Sequence, residues 1–98
     1  MIGGKNSYQI GVVEDAPLVE HRGIMIDSVR HFLSVDIIKR LIKSMKLSKL
    51  NILHWHLADD EAFTMDLASH PELAQASKYT PDSYYTLQQI KELIALAK

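Results

Sequence analysis

Hydrophobic residues in this chain fall into short runs and helical stripes separated by polar breaks. Tyr8, Ile10, Val12 and Val13 suggest a short strand. Glu14-Asp15-Ala16-Pro17 ends it, because proline lacks an N–H and restricts the residue before it. Gly23 to Ser28 holds the continuous run Ile24-Met25-Ile26. A run this short predicts a strand buried on both faces, as in a parallel sheet. The period then changes. Ile37, Ile38, Leu41, Ile42 and Met45 form one stripe at helical spacing, with Lys39, Arg40, Lys43 and Lys46 on the opposite side. Ser34 is placed to cap that helix, and Asp36 sits in its first turn, where the helix dipole favours an anion. From about Leu50 to Leu57 a second strand is predicted. It points Ile52, His54 and His56 to one face, and Leu53, Trp55 and Leu57 to the other. Residues 58–85 form a long connection with a helical turn around Pro71-Glu72-Leu73. Thr86-Leu87-Gln88-Gln89 then reads as a capping box, with Tyr85 and Ile90 as its hydrophobic staple. Leu87, Ile90, Leu93, Ile94 and Ala97 give the following helix its apolar face.

The predicted class is α/β. Two strands joined through a helix should be parallel and adjacent, with a right-handed crossover. Such a pair exposes two unpaired edges, and two helices cannot cover both sides of it. The pattern therefore predicts the opening piece of a larger alternating β/α fold, or a chain with an obligate partner. The isolated polypeptide is expected to aggregate or behave as a molten state.

Composition narrows the function. Eleven basic residues against twelve acidic ones give a formal charge of -1. Bulk electrostatics therefore offer no reason to expect nucleic acid or an anionic membrane as partner. The four cations of the first helix lie where amphipathicity requires polar residues, so they read as a solvated face. Cysteine is absent, which excludes thiol nucleophiles, thiolate zinc sites and disulfides. No apolar run approaches the roughly 20 residues of a membrane span. The N-terminus lacks the apolar core of a signal peptide, and the compartment stays unassigned.

Chemistry in alternating β/α folds gathers where strands end and loops begin. Two stretches qualify: Asp27-Ser28-Val29-Arg30-His31, and His54 through Asp60. Adjacent parallel strands would bring Arg30 and Asp59 together. Arg30 offers a rigid fork of donors suited to paired hydroxyls or a carboxylate, or else a surface ion pair. Asp59 and Asp60 offer acceptors for hydroxyls, a cation or a neighbouring acid, or else cap their loop. His54 and His56 share a strand face and could ligate zinc, but no third ligand stands at a useful spacing. One buried and one orienting histidine is the preferred reading. Trp55 is expected between sheet and helix. No glycine-rich phosphate loop is present, since Gly3-Gly4 precedes no helix.

Two longer motifs bring a family into view. His21-Arg22-Gly23-Ile24-Met25-Ile26-Asp27-Ser28-Val29-Arg30-His31-Phe32-Leu33 resembles the start of the catalytic barrel of family-20 glycoside hydrolases, the β-N-acetylhexosaminidases. Lys49-Leu50-Asn51-Ile52-Leu53-His54-Trp55-His56-Leu57-Ala58-Asp59-Asp60 is similar to the family's second block. Glu14-Asp15, Pro17, Phe63, Pro71-Glu72-Leu73, Tyr79 and Tyr85-Thr86 also fit. Ser34 stands where the family often has proline, and Glu61-Ala62 departs from its usual loop.

The resemblance implies a partial (β/α)8 barrel, its first two βα units only, over residues 21–98. Residues 1–20 then form a linker and lead-in strand. It implies removal of terminal non-reducing N-acetylglucosamine or N-acetylgalactosamine from glycans, without a cofactor. The family's catalysis is substrate-assisted: the 2-acetamido oxygen attacks the anomeric carbon while a glutamic acid protonates the leaving oxygen. Its Asp-Glu pair belongs to the fourth strand, and neither Asp59-Asp60 nor Asp60-Glu61 replaces it. Arg30 matches the arginine that holds sugar hydroxyls. Asp59 matches an aspartate near the catalytic acid, His56 and Asp60 match supporting positions, and Arg22 and Asp27 match structural ones. Members are commonly lysosomal, secreted or periplasmic, and the resemblance leaves room for a dimer of the full-length enzyme. Two other readings compete: a metal-dependent barrel hydrolase using His54 and His56, and a non-catalytic sugar-binding or interaction module.

Overall fold

The structure, a computed structural model, describes residues 11–77 and 80–98. Its elements run β1 (Gly23–Asp27), α1 (Val35–Leu47), β2 (Ile52–His56), α2 (Pro71–Ser77) and α3 (Leu87–Ala97). β1 and β2 pair in parallel, with Gly23 opposite Ile52 and Asp27 opposite His56. The predicted α/β order and parallel pairing are both present.

Hydrogen bonds at both ends set this register. At the lower end the Arg22 carbonyl accepts from the amides of Asn51 (2.8 Å) and Ile52 (3.2 Å). Asn51 returns the contact, its Oδ1 accepting from the Arg22 amide at 3.0 Å and its Nδ2 donating to the Glu20 carbonyl at 2.8 Å. Gly23 is required by the same closeness. A Cβ there would stand 2.9 Å from the Ile52 carbonyl oxygen, a backbone atom that cannot step aside. At the upper end the Ser28 hydroxyl donates to the His56 carbonyl at 3.0 Å and accepts from the Trp55 indole at 3.0 Å.

One face of the pair carries the core. Ile38 of α1, Ile90 and Leu93 of α3, and Tyr85 are buried together, with Ile26, Leu53 and Trp55 packed against them. Tyr85 is the centre. Its ring stacks on Phe32 and meets Trp55 edge-on, both with centroids 4.7 Å apart. Its hydroxyl donates to the Leu33 carbonyl at 2.6 Å, so the buried oxygen has a partner. Trp55 thus lies between sheet and helices, as expected.

The caps follow the sequence pattern. Ser34 Oγ accepts from the Ile37 amide at 3.4 Å. At α3, Gln89 donates its amide to Thr86 Oγ1 (3.2 Å), and the Thr86 amide donates to Gln89 Oε1 (2.9 Å). The far end of α1 closes as a Schellman motif, the Leu50 amide on the Met45 carbonyl and the Lys49 amide on that of Lys46. Lys49 occupies the left-handed position of this motif at φ 56°, a place that favours glycine.

Three expectations are corrected. β1 is not buried on both faces: Met25 is 59% exposed, and His54 beside it is exposed too, because no described residue covers that face. Residues 11–20 are exposed and Val12 and Val13 form no strand, since no described strand offers them a ladder. Tyr8, Ile10, Gly3-Gly4 and Tyr79 lie outside the described residues. The apolar stripes are also wider than their contacts, leaving Ile37, Leu87 and Ile94 about half exposed.

Two outcomes follow. Gly23→Ala should destabilise the protein expressed from its own gene by about 1–3 kcal/mol through overpacking against β2, read by urea unfolding. The 98-residue polypeptide alone should bind a hydrophobic dye and unfold without a sharp transition, because Met25 is exposed and, among the described residues, no further strand pairs with either sheet edge. A cooperative transition in a monomer would count against the second.

Candidate functional site

The upper ends of β1 and β2 lie side by side, and a loop leaves each. Each loop folds around an aspartate. After β1, Asp27 Oδ1 accepts from the amides of Val29 (2.9 Å) and Arg30 (3.1 Å). After β2, Asp59 Oδ1 accepts from the amides of Glu61 (2.8 Å) and Ala62 (3.2 Å). Short polar side chains suit such turns because their oxygen substitutes for a backbone carbonyl. In each case the second carboxylate oxygen turns to Arg30. Arg30 Nη1 lies 2.6 Å from Asp27 Oδ2, and Nη2 lies 3.3 Å from Asp59 Oδ2. His56 Nε2 lies 3.1 Å from that same Asp59 oxygen. An ionised carboxylate only accepts, so this histidine nitrogen carries the proton.

Burial within the cluster is uneven. The Asp59 side chain is 12% exposed, whereas that of Arg30 is 56% exposed. The carboxylates are the more buried partners, with Asp27 at 25% exposed, and the Arg30 side chain is the part open to solvent.

The charges reinforce one another. Hydrogen bonds from the Arg30 side chain and backbone hold the Asp27 carboxyl down at about 2, against an ordinary 3.8. Asp27 in turn raises Arg30, with a smaller contribution from Asp59. Asp59 is also lowered, first by its hydrogen bond from His56, then by the Glu61 and Ala62 amides and by Arg30; desolvation opposes this. Both carboxylates are therefore ionised near neutral pH and act as acceptors and anchors.

Of the residues singled out from the sequence, Arg30, Asp59 and His56 come together. Asp60 does not. It is exposed, and its side chain meets no partner among the described residues, because the Asp59 turn directs it outward. His54 lies one pleat below His56 on the open face, beside Met25. Among the described residues no three His, Asp or Glu side chains are grouped to hold a metal ion. Asp27, read from sequence as structural, belongs to this site. The signal was available in the Asp-x-x-Arg spacing at a strand end, which lets one carboxylate cap a turn and pair with the side chain that turn carries.

Comparison with known proteins identifies the family of the chain. The catalytic domain of glycosyl hydrolase family 20 matches residues 19–98. The chain belongs to glycosyl hydrolase family 20. It is 48% identical over 93 residues to a Caenorhabditis elegans β-hexosaminidase A, a match covering 93% of this chain and 17% of that protein. Its fold superposes on the Flavobacterium johnsoniae family-20 chitobiase with a TM-score of 0.76 at 34% identity, over 83% of this chain and 12% of the other. A Vibrio harveyi family-20 exo-β-N-acetylglucosaminidase, solved with N-acetylglucosamine, gives 0.75 at 37% identity, over 85% and 16%. Family-20 catalytic domains are (β/α)8 barrels, and β1-α1-β2 is a piece of that architecture. The chain spans between 14% and 17% of the length of the curated relatives it matches.

The ion pair has a defined pH signature. The folded value of Asp27 lies below its ordinary one, so its stabilisation is present above about 4 and is lost as pH falls toward about 2. Carboxyl-carbon NMR should find its midpoint near 2, and Arg30→Gln should return it toward 3.8. An unchanged midpoint in the variant would contradict the pairing.

Proposed function

We propose that this chain supplies one wall of the sugar site in a β-N-acetylhexosaminidase, within residues 21–98 of its barrel. Its substrates are glycans ending in N-acetylglucosamine or N-acetylgalactosamine. The observation that carries this reading is the half-exposed Arg30 side chain, its guanidinium braced on Asp27 and Asp59 at the upper ends of two parallel strands. A planar fork held from behind presents its free N–H groups to neighbouring hydroxyls in a fixed direction, which a lysine cannot copy. Family membership and the sugar-bound Vibrio harveyi relative support the same reading.

The proposed roles are those the family resemblance implies, and the geometry is compatible with them. Arg30 binds hydroxyls of the terminal sugar. Asp59 holds Arg30 and His56 and contributes a fixed negative charge beside the reacting centre. His56 orients Asp59. The chemistry proper is substrate-assisted: the acetamido oxygen attacks the anomeric carbon as the leaving oxygen takes a proton from an acid. Water then opens the oxazolinium ring. This exempts the family from the two-carboxylate scheme of most glycosidases. The exposed Asp60-Glu61 dipeptide is not that acid, since Asp60 points away from the cluster. Neither does a zinc-hydrolase reading gain support, because His56 is engaged by Asp59.

Hydrolysis of an aryl N-acetyl-β-glucosaminide by the protein expressed from its own gene tests the proposal. Arg30→Lys should lower kcat/KM about ten- to a hundredfold, the loss expected for one charge-assisted hydrogen bond to substrate. The 98-residue polypeptide alone should show no turnover. An unaffected Arg30→Lys enzyme, or turnover by a homogeneous preparation of the short polypeptide, would overturn this reading.

A further inference from the structure

Arg30 is aimed by a residue that the motif reading left to the scaffold. We propose that Asp27 is a positioning residue for substrate binding, acting through Arg30. The inference rests on the reading of Arg30 as the sugar-binding group, and it concerns what sets the direction of that group.

Three observations carry it. First, Asp27 grips both ends of Arg30. Its Oδ1 accepts from the Arg30 amide at 3.1 Å, and its Oδ2 accepts from Arg30 Nη1 at 2.6 Å. Backbone and guanidinium are thus tied to one rigid carboxylate, which removes most of the rotamer freedom of a long side chain. Second, Asp27 is the last residue of β1, and Ser28 beside it is tied to the His56 carbonyl. The carboxylate is therefore mounted on the sheet, whereas Asp59 approaches from a loop three residues past the end of β2. Third, the contacts are unequal: Nη1 to Asp27 is 2.6 Å, and Nη2 to Asp59 is 3.3 Å. Asp27 is the tighter hold, and Asp59, shared with His56, is the looser one. With a side chain this exposed, an unbraced Arg30 would sample many directions before meeting a sugar, and binding would have to select one of them.

Asp27→Asn separates aiming from folding. The asparagine Oδ1 can still accept the Val29 and Arg30 amides and keep the turn, but its amide nitrogen meets the guanidinium donor to donor. In the protein expressed from its own gene, KM for the aryl N-acetylglucosaminide should rise about five- to tenfold with a smaller change in kcat, as expected when ground-state binding is loosened. In an Arg30→Lys background the same substitution should change KM by less than twofold, because Asp27 acts only through Arg30. A purely structural role would lower the yield or melting temperature in both backgrounds and leave KM alone. The outcomes separate cleanly. If Arg30→Lys leaves KM and kcat/KM unchanged, the sugar-binding reading fails. If Arg30→Lys impairs the enzyme and Asp27→Asn does not, the Asp27 inference alone is overturned. A measurement on the unaltered protein covers the case in which Asp27→Asn does not fold. Nitrogen-detected NMR should show slow rotation about the Arg30 Nε–Cζ bond. Arg40, with no side-chain partner among the described residues, should rotate freely. Fast rotation at Arg30 would overturn the inference.

Discussion

If β2 slipped by one residue along β1, every side chain on it would change face, and the upper ends of the strands would no longer meet. Asp27 would lose its place opposite His56, and the loop carrying Asp59 would leave Arg30. The pairing of these two strands is the constraint on which the site depends. It is enforced by atoms remote from any chemistry: the Arg22 carbonyl shared by two amides, the Asn51 side chain that answers it, and the missing Cβ of Gly23. The Arg22 side chain adds bonds to the carbonyls of Lys49 and Val19, tying the strand start to the end of α1. The motif residues thus divide by height along the strands. Those at the bottom set register together with Ser28, and those at the top form the Arg30 cluster.

Above the register, the two loops repeat one device. Each aspartate spends one oxygen on its own turn and the other on the shared guanidinium. Charge balance and loop shape are therefore coupled. An alanine at either position would lose both the turn and the pair, which costs more than either alone because the effects share a site. The sugar reading needs this rigidity, since a planar donor group is selective only when its plane is fixed.

Much of this was legible beforehand, and for local reasons. The Ser34 and Thr86 caps, the stripe of α1 and the Tyr85–Ile90 staple depend on spacing alone, and spacing is visible in a sequence. Arg30 meeting Asp59 was legible because parallel neighbours bring their ends together. What escaped depends on neighbours. The exposure of Met25, Ile37 and Ile94 reflects what lies across from them, and amphipathicity reports only that a face is apolar. Asp60 looked equal to Asp59 until turn geometry assigned one inward and the other outward. Lys49 in a left-handed position ran against propensity; the Schellman hydrogen bonds outweigh the preference for glycine there. Asp27 was visible but underrated, because a strand-end aspartate commonly does no more than cap.

Trp55 has a consequence of its own. It is the single tryptophan of the sequence; its backbone lies in β2, its indole N–H donates to the Ser28 hydroxyl, and its ring meets that of Tyr85 at a steep angle. Ser28 belongs to the Asp27–Arg30 turn and links the indole to it. The chain thus carries an intrinsic fluorophore bonded to the residue that follows Asp27, which makes its emission a natural probe of the turn above it.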